Sequence, residues 1–224
     1  MANNDLVLDS DWFGFIDREV ENNPNVACFC GTVLTKDGTK YEGIGLDFSY
    51  TGKCKNQKNG DAFNPEEINV DPYYIWGSSA ALVVYKKDII KKIGLFDEDF
   101  FAYEEDVDLS LRLHNLGFKT LYIPKALCYH LGGGTSGKMG NFRHRMDAKN
   151  WIYIIIKNFS RKDILKNFFG IFLERLRNLS GIIKNSNPAN FSPSVFGTYW
   201  QVIKNFNKML KKRHLIQNLL KSSL

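Results

Sequence analysis

The chain crowds carboxylates into one short stretch, AYEEDVDLSLRLHNLG, in which four acids fall within five positions: Glu104, Glu105, Asp106 and Asp108. The apolar spacing behind them predicts a helix from about residue 106 to residue 116 that ends at Gly117. The helix dipole stabilises acids in its first turn by roughly 0.3 to 1 kcal/mol each, which accounts for one or two of them. Four like charges this close lose stability unless a cation, a proton or a substrate hydroxyl compensates some of them. The stretch therefore predicts a site at which a carboxylate does chemistry.

A calcium-binding loop and a glycosidase carboxylate pair both fit this stretch poorly. In DEDFFAYEEDVD, Asp97 and Asp99 take the first and third loop positions, but Phe101 occupies the fifth and Ala102 replaces the turn glycine. The two carboxylates of a glycoside hydrolase must flank the sugar from opposite sides, which sequence neighbours rarely do. The remaining chemistry is a single catalytic base at a helix N-terminus, supported by the other acids, that accepts a proton from an acceptor hydroxyl.

An alternation of strands and helices must position these acids. Asp9 can cap a helix that runs to about Asn22, and residues 26 to 34 have the continuous apolar character of a buried strand. Residues 73 to 130 predict a strand, a short helix, the acidic turn, a second helix and two further strands. This order predicts an α/β sheet. The polar segment 37 to 72 is typical of a hairpin with a long binding loop or lid.

Charge is unevenly distributed along the 224 residues. Residues 1 to 137 carry 13 Lys/Arg against 21 Asp/Glu, whereas residues 138 to 224 carry 17 against 3. The second part predicts two basic amphipathic helices, one from Ser160 to about Lys184 and one from Ser192 to about 213, joined by the linker SNPANFSP. Such a basic extension favours phosphate groups or an anionic lipid surface, and a merely solvated basic face is the simpler alternative.

Composition excludes several classes of protein. A hydrophobic content of 44% is that of a globular chain with one core, or one core and an appended lobe. The four cysteines form no CxxC pair and have no zinc spacing, so neither a disulfide framework nor a structural zinc site is expected, and a reducing cytoplasmic setting fits best. No apolar run approaches the ~20 residues that span a bilayer. The basic part carries no recognised nucleic-acid motif, so no nucleic-acid partner is expected.

Two segments resemble a known enzyme family. The segment WGSSAALVVYKKDIIKKIGLFDEDFFAYEEDVDLSLRLHNLGFKTLYIPKALCYHLGGG resembles the C-terminal half of the catalytic domain of family 2 inverting glycosyltransferases, especially rhamnosyltransferase-like and galactofuranosyltransferase-like members. The opening ANNDLVLDSDW is similar to the metal-binding segment of that family. The resemblance covers residues 2 to 157 and implies a partial GT-A fold, an α/β sandwich that holds a nucleotide sugar with a divalent cation, Mn²⁺ or Mg²⁺.

The resemblance also implies roles for single residues. Asp5 is similar to the carboxylate that binds the cation bridging the donor diphosphate, and His130 to a further metal ligand, a mixed oxygen and nitrogen set that suits Mn²⁺. Asp106 is similar to the base that deprotonates the acceptor hydroxyl for in-line attack with inversion, and Glu105 to the acid beside it that orients the acceptor. The segment Trp76–Gly77–Ser78 matches the one that lines the acceptor side. One acidic and one basic residue outside this set, Asp108 and Arg112, are four positions apart and predict an ion pair on the helix surface.

The chain also departs from the family. Members carry, before the Asn-Asn-Asp segment, the strands and helices that hold the base and ribose, so we expect that half to be missing here or to be supplied by a longer chain or a partner. Lys149 and Asn150 stand where members often have an Arg-Asn pair. The expected organisation is a C-terminal portion of the catalytic domain at 1–157 and a basic helical extension at 158–224.

Two functions follow as expectations. The first is an inverting glycosyltransferase of cell-surface polysaccharide or glycan synthesis, which takes a nucleotide-sugar donor and a saccharide or lipid-linked acceptor. It would lie in the cytoplasm, at the inner surface of the membrane. The second is a non-catalytic remnant or interaction module that binds a membrane or a partner enzyme through its basic helices.

Overall fold

The computed structural model of the protein describes residues 1–132, 141–186 and 191–222. Contacts divide the chain into two compact units: the first comprises Met1–Asp47, Cys54–Leu95 and Leu109–Gly134, and the second comprises Phe48–Lys53, Phe96–Asp108 and Thr135–Leu224. The glycine-rich residues 133–137 and the middle of the predicted linker, 187–190, lie outside the described residues. The sequence predicts a domain boundary after residue 157. The division by contacts does not test that boundary, which stays a prediction.

The first unit is built on a six-stranded mixed sheet, which confirms the predicted α/β class. Its strands are β1 (Leu6–Leu8), β2 (Val26–Thr35), β3 (Tyr41–Gly43), β6 (Tyr73–Ile75), β7 (Val84–Tyr85) and β8 (Lys119–His130), and the hairpin strands β4 (Leu46–Ser49) and β5 (Lys53–Asn56) form a separate ladder. The main order is β1-β8-β2-β3, with β6 also paired to β8 and β7 to β2. Among the strand pairs of this sheet in the described residues, β2 and β8 run parallel and the others run antiparallel.

The core of the first unit forms between this sheet and α1 (Trp12–Asn22), which ends where the sequence predicts. Trp12 and Ile16 are buried on the inner side of α1 and pack with Phe29 of β2 and Ile123 of β8. The 3.6-residue period of α1 brings the Trp12 and Ile16 side chains and the partly buried Val20 to one side of the helix. A second helix of this unit, α2 (Lys87–Ile93), follows β7.

The long strand β8 continues through Pro124, where the sequence predicts two separate strands. Its parallel pairing with β2 resumes beyond the proline after a register shift between Cys30 and Thr32. Proline has no N–H for the ladder, and its carbonyl oxygen accepts a hydrogen bond from Thr32 Oγ1 at 2.8 Å. The irregularity lets one strand carry the chain from Lys119 to His130.

Helix α3 (Glu105–Asn115) follows the acidic turn, as the sequence predicts. Its C-terminus closes at Gly117, which has a φ of +80° and donates its N–H to the His114 carbonyl. Glycine adopts this left-handed conformation without a steric penalty, so the predicted stop is confirmed.

The second unit is largely helical. It contains α4 (Asn141–Asn158), α5 (Arg161–Lys166), α6 (Phe168–Lys184) and α7 (Phe191–Ser222). The predicted capping box of Ser160 and Asp163 opens α5. The prediction of one continuous helix to Lys184 is wrong, because the chain breaks at Asn167, whose side-chain amide donates to the Asp163 carbonyl at 2.8 Å. The Asn167 backbone N–H donates to the same carbonyl at 3.0 Å.

Ion pairs with lysines neutralise three carboxylates of the segment from Asp97 to Asp108. Lys157 on α4 contacts Asp97 at 2.6 Å and Asp108 at 2.8 Å, and all three side chains are at most 8% exposed. Lys208 and Lys212 on α7 reach Asp99, each at 2.5 Å. Part of the basic helical extension therefore compensates carboxylates of its own unit.

The prediction that Asp108 and Arg112 lie on the helix surface is wrong, because both side chains are buried. Asp108 accepts a hydrogen bond from Asn158 at 2.8 Å in addition to its pairing with Lys157. Arg112 donates to the backbone carbonyls of Ile93, Gly94 and Leu95, at 3.1, 2.6 and 2.7 Å. The guanidinium thus ties the end of α2 to α3.

Candidate active site

Strand pairing brings the two predicted metal ligands together in the first unit. β1 runs antiparallel to β8 with Leu6 opposite His130, and the Leu131 N–H donates to the Asp5 carbonyl at 2.8 Å. The Asp5 carboxylate lies 3.0 Å from His130 Nε2 as a result. These two residues are 125 positions apart in the sequence, and the edge of the sheet makes them neighbours.

A third residue, Glu42 of β3, contacts the other side of the same imidazole. Its carboxylate pairs with His130 Nδ1. Although partial burial lowers it, hydrogen bonds to Glu42 and Asp5 raise the pKa of His130 above its usual value. Sequence reasoning missed Glu42, because nothing in the stretch KYEGIG marks it as a partner of a residue 88 positions away.

The arrangement fits a divalent cation held by Asp5 and His130. The two nitrogens of an imidazole point away from each other, so an ion on Nε2 is out of reach of the carboxylate at Nδ1. The described ranges contain no group of three or more His, Cys, Asp or Glu side chains that could hold a metal ion, so Asp5 and His130 supply two donors only. A carboxylate at Nδ1 fixes the tautomer that leaves the Nε2 lone pair available, which is a common second contact of metal-binding histidines. One oxygen and one nitrogen donor suit Mn²⁺.

A pocket of about 170 Å³ in the first unit adjoins this cluster. His130 and Glu42 are part of its lining, together with Gly31, Gly45, Asn56 and Ser79. Ser78, predicted on the acceptor side, also lines it and is buried. The pocket therefore combines the charged groups of Glu42 and His130 with the polar side chains of Asn56 and Ser79, which suits a polar ligand of the size of a sugar.

The other two predicted acceptor-side residues lie elsewhere in the first unit. The Trp76 ring lies beside His114, with ring centres 6.1 Å apart and planes tilted by 37°. Gly77 is close to α3, since a Cβ at this position would lie 2.6 Å from Ser110 Cβ. Glycine at 77 is therefore required by helix packing, whatever it contacts in addition.

In the second unit, a strained turn leads into the acids. Phe101, Tyr103 and Glu104 all have positive φ angles, of 64°, 66° and 64°. Such conformations are rare for residues other than glycine and cost free energy, and they cluster at functional sites. The turn aims the chain so that Glu104, Glu105 and Asp106 follow one another at the start of α3.

Two residues of α4 hold this turn in place. The side-chain amide of Asn150 donates to the carbonyls of Phe100, Ala102 and Tyr103, at 3.1, 2.8 and 2.7 Å. Lys149 donates to the Asp99 carbonyl at 2.9 Å. Both side chains are buried. Lys149 and Asn150 stand where the resembled family often has an Arg-Asn pair. Their structural role is to donate hydrogen bonds to backbone carbonyl oxygens of the strained turn that no helix or strand pairs.

The three neighbouring acids differ in their surroundings. Asp106 Oδ1 accepts a hydrogen bond from the Val107 N–H at 2.8 Å. Glu104 Oε2 and Glu105 Oε2 are buried with no hydrogen-bond partner among the described residues. Burial and the charges of Asp147, Asp106 and Glu105 raise the pKa of Glu104 well above its usual value, and burial followed by Asp106 raises that of Glu105. Asp106 is therefore the best placed of the three to act as a base.

We expect Glu104→Gln to stabilise the protein at neutral pH. Because the pKa of Glu104 is raised in the folded state, stability is lost as the pH rises from about 4.5 towards the folded-state pKa. The amide removes this loss, so the free energy of unfolding in urea should exceed that of the parent at about pH 8 and match it at about pH 4. Glu98→Gln, at an exposed position of the same turn, is the control. Equal gains for the two variants at the higher pH would contradict the expectation.

Comparisons with known proteins bear on the fold. No protein-family model matches the chain. The chain is similar to N-acetylglucosaminyl-diphospho-decaprenol L-rhamnosyltransferase from two strains of Mycobacterium tuberculosis, with 36% identity over 63 residues. The match covers 28% of this chain and about a fifth, 20%, of that relative.

A solved structure resembles a much larger part of the chain. The crystal structure of GalNAc-T7 with UDP, GalNAc and Mn²⁺ matches 91% of this chain and 39% of its own, with a TM-score of 0.53 and 11% identity. The chain has a GT-A glycosyltransferase fold. At this identity the likeness establishes the fold alone, and it confirms the predicted GT-A class. In this GT-A fold, the described residues place Asp5 with His130 in the first unit and the acids of α3 in the second.

Proposed function

We propose that the chain is part of an inverting glycosyltransferase of family 2. It would transfer a sugar from a nucleotide-sugar donor to a saccharide or lipid-linked acceptor in the synthesis of a cell-surface glycan. The observation that carries this proposal is the pairing of Asp5 with His130 at the sheet edge of a GT-A fold. The rhamnosyltransferase relative is named for a lipid-diphosphate acceptor, and GalNAc-T7 was crystallised with UDP, GalNAc and Mn²⁺, which supports the same substrate classes.

Asp5 and His130 would hold the divalent cation, Mn²⁺ or Mg²⁺. When bound, the cation supplies positive charge that stabilises the departing nucleoside diphosphate. With the cation bound, Glu42 would hold the imidazole in the tautomer that carries the proton on Nδ1 and leaves Nε2 for the metal. The pocket beside these residues, lined in part by Ser78, would take a sugar.

Asp106 would accept the proton of the attacking hydroxyl. Inversion needs one base, because the acceptor oxygen attacks the anomeric carbon directly from the side opposite the diphosphate. The Val107 N–H donates to the Asp106 carboxylate at the start of α3, where the helix dipole favours negative charge. Glu105 adjoins it and would orient the acceptor. Asn150 acts through the backbone of the strained turn and is a positioning residue.

Calorimetry tests the donor site of the chain. We expect UDP, dTDP or GDP to bind in the presence of Mn²⁺, and His130→Ala to abolish that metal-dependent binding. Glu67→Gln, which alters a carboxylate paired with Lys58 and Tyr41 in the same unit, should leave it unchanged. Failure of all three nucleotides to bind with Mn²⁺ would favour the alternative, a non-catalytic interaction module.

The role of Glu42 has a test that needs neither metal nor turnover. In nitrogen-15 spectra of the metal-free protein, we expect Glu42→Gln to change the tautomer or protonation signature of the His130 ring, whereas Glu67→Gln does not. The same variant should weaken Mn²⁺ binding by about 10- to 100-fold. Unchanged His130 shifts in Glu42→Gln would show that this carboxylate does not set the state of the ring.

A further inference from the structure

Helix α6 presents an apolar face that the described protein does not cover. Phe168, Phe169 and Phe172 are 64%, 71% and 51% exposed, and Leu176 one turn further is also exposed. At roughly 100° per residue, these four side chains fall within an arc of about 100° on the helix surface. Exposed Lys184 lies beside the C-terminal end of that arc. A face of this width, with three aromatic rings, exceeds the scattered apolar residues of an ordinary surface.

Helix α7 repeats the arrangement. Phe196 and Trp200 lie one turn apart and are both more than half exposed, and their rings stack with centres 6.3 Å apart. Ile203 continues the face with 66% exposure. The following turns carry exposed Lys204 and Lys211 on the same side of the helix. Aromatic residues therefore occupy the first half of this face and lysines the second.

The positive charge of this part of the chain indicates what kind of surface the apolar faces of α6 and α7 bind. Residues 158 to 224 contain twelve Lys/Arg and two Asp/Glu. Lys208 and Lys212 are engaged with Asp99, so they do not account for the external charge, whereas Lys184, Lys204 and Lys211 are exposed. Amphipathic helices with Phe, Trp and Leu on one side and lysines beside them lie in the headgroup region of anionic bilayers. None of the helices in the described ranges is long and apolar enough to cross a bilayer.

We propose that the exposed apolar faces of α6 and α7 insert into the surface of an anionic lipid bilayer. Phe168, Phe169 and Trp200 enter the boundary between headgroups and acyl chains, and Lys204 and Lys211 contact the anionic headgroups. The inference does not depend on the transferase proposal, because lipid binding needs neither the metal pair nor Asp106. If the transferase proposal also holds, the bilayer brings a lipid-linked acceptor to the enzyme.

Vesicle sedimentation of the whole chain tests the inference. At low salt we expect binding to vesicles of phosphatidylcholine with phosphatidylserine and much weaker binding to phosphatidylcholine alone. Phe169→Ser/Trp200→Ser should lower the partition coefficient by at least about tenfold, and so should Lys204→Glu/Lys211→Glu. Phe13→Ser removes an aromatic side chain of similar exposure from α1 and should have no effect. Thermal melting confirms that each variant is folded.

The fluorescence of Trp200 provides a second test, because it changes when this side chain enters the bilayer. Its fluorescence should shift to shorter wavelength on mixing with anionic vesicles, and Trp200→Phe should remove that shift while binding persists. Absence of sedimentation at low salt, or undiminished binding of the Phe169→Ser/Trp200→Ser variant, overturns the proposal. Light scattering that detects a dimer abolished by Phe169→Ser/Trp200→Ser, with no lipid binding, would assign the surface to a second copy of this chain and overturn it as well.

Discussion

Replacing Asp106 with Asn is expected to reduce sugar transfer by about 10²- to 10⁴-fold, the usual contribution of a positioned general base. Asn keeps the size of the side chain and can accept the Val107 N–H bond, so the start of α3 should be unchanged. Only the ability to take a proton is lost. Release of nucleoside diphosphate from the nucleotide sugar measures the effect, and calorimetry should give nearly the same donor affinity as the parent.

Two variants make this result specific to Asp106. Glu98→Gln neutralises an exposed acid of the same turn and should retain the parental turnover. Glu105→Gln should weaken acceptor binding more than it lowers the rate at saturation, because we assign Glu105 an orienting role. If Asp106→Asn retains turnover and Glu105→Gln loses it, the base is Glu105.

Replacing Lys157 with Met is expected to destabilise the protein by about 3 to 5 kcal/mol at neutral pH. The Lys157 side chain is 2% exposed and contacts the fully buried Asp108 carboxylate at 2.8 Å and Asp97 at 2.6 Å. Methionine fills most of the volume but leaves these carboxylates with less compensation, and removing one partner of a buried pair costs far more than the pair contributes. The free energy of unfolding in urea measures the loss.

A matched surface variant and the pH dependence check this reason. Lys208→Met removes an ion pair with Asp99 whose lysine is 56% exposed, and it should cost no more than about 1 kcal/mol. Although burial raises it, the charges of Lys157 and Lys212 lower the pKa of Asp97 to about 2. This carboxylate therefore stabilises the fold above about pH 4, and that stabilisation is lost as the pH falls to about 2. The penalty of Lys157→Met should shrink over the same range. A penalty no larger than that of Lys208→Met would contradict the expectation.

Short-range features of this protein could be predicted from the sequence. The end of α1 at Asn22, the Ser160–Asp163 capping box and the stop at Gly117 were all correct, because each depends on residues within one or two helical turns. The alternation of strands and helices likewise indicated an α/β sheet, since burial on both sides of β2 leaves a continuous apolar run. The break at Asn167 was missed, because the apolar spacing on both sides of it is that of one continuous helix.

For the site, the sequence by itself determined the candidates, and the tertiary structure decided their partners. Asp5, His130 and Asp106 were named from local patterns and a family resemblance. That Glu42 holds His130, that Asn150 holds the strained turn and that Lys157 neutralises Asp108 came only from the folded chain. These contacts join residues 47 or more positions apart, and the free energy that selects them comes from burial, where an unpaired charge or carbonyl is costly. The spacing of residues along the sequence does not indicate which distant group pairs with a buried charge or carbonyl.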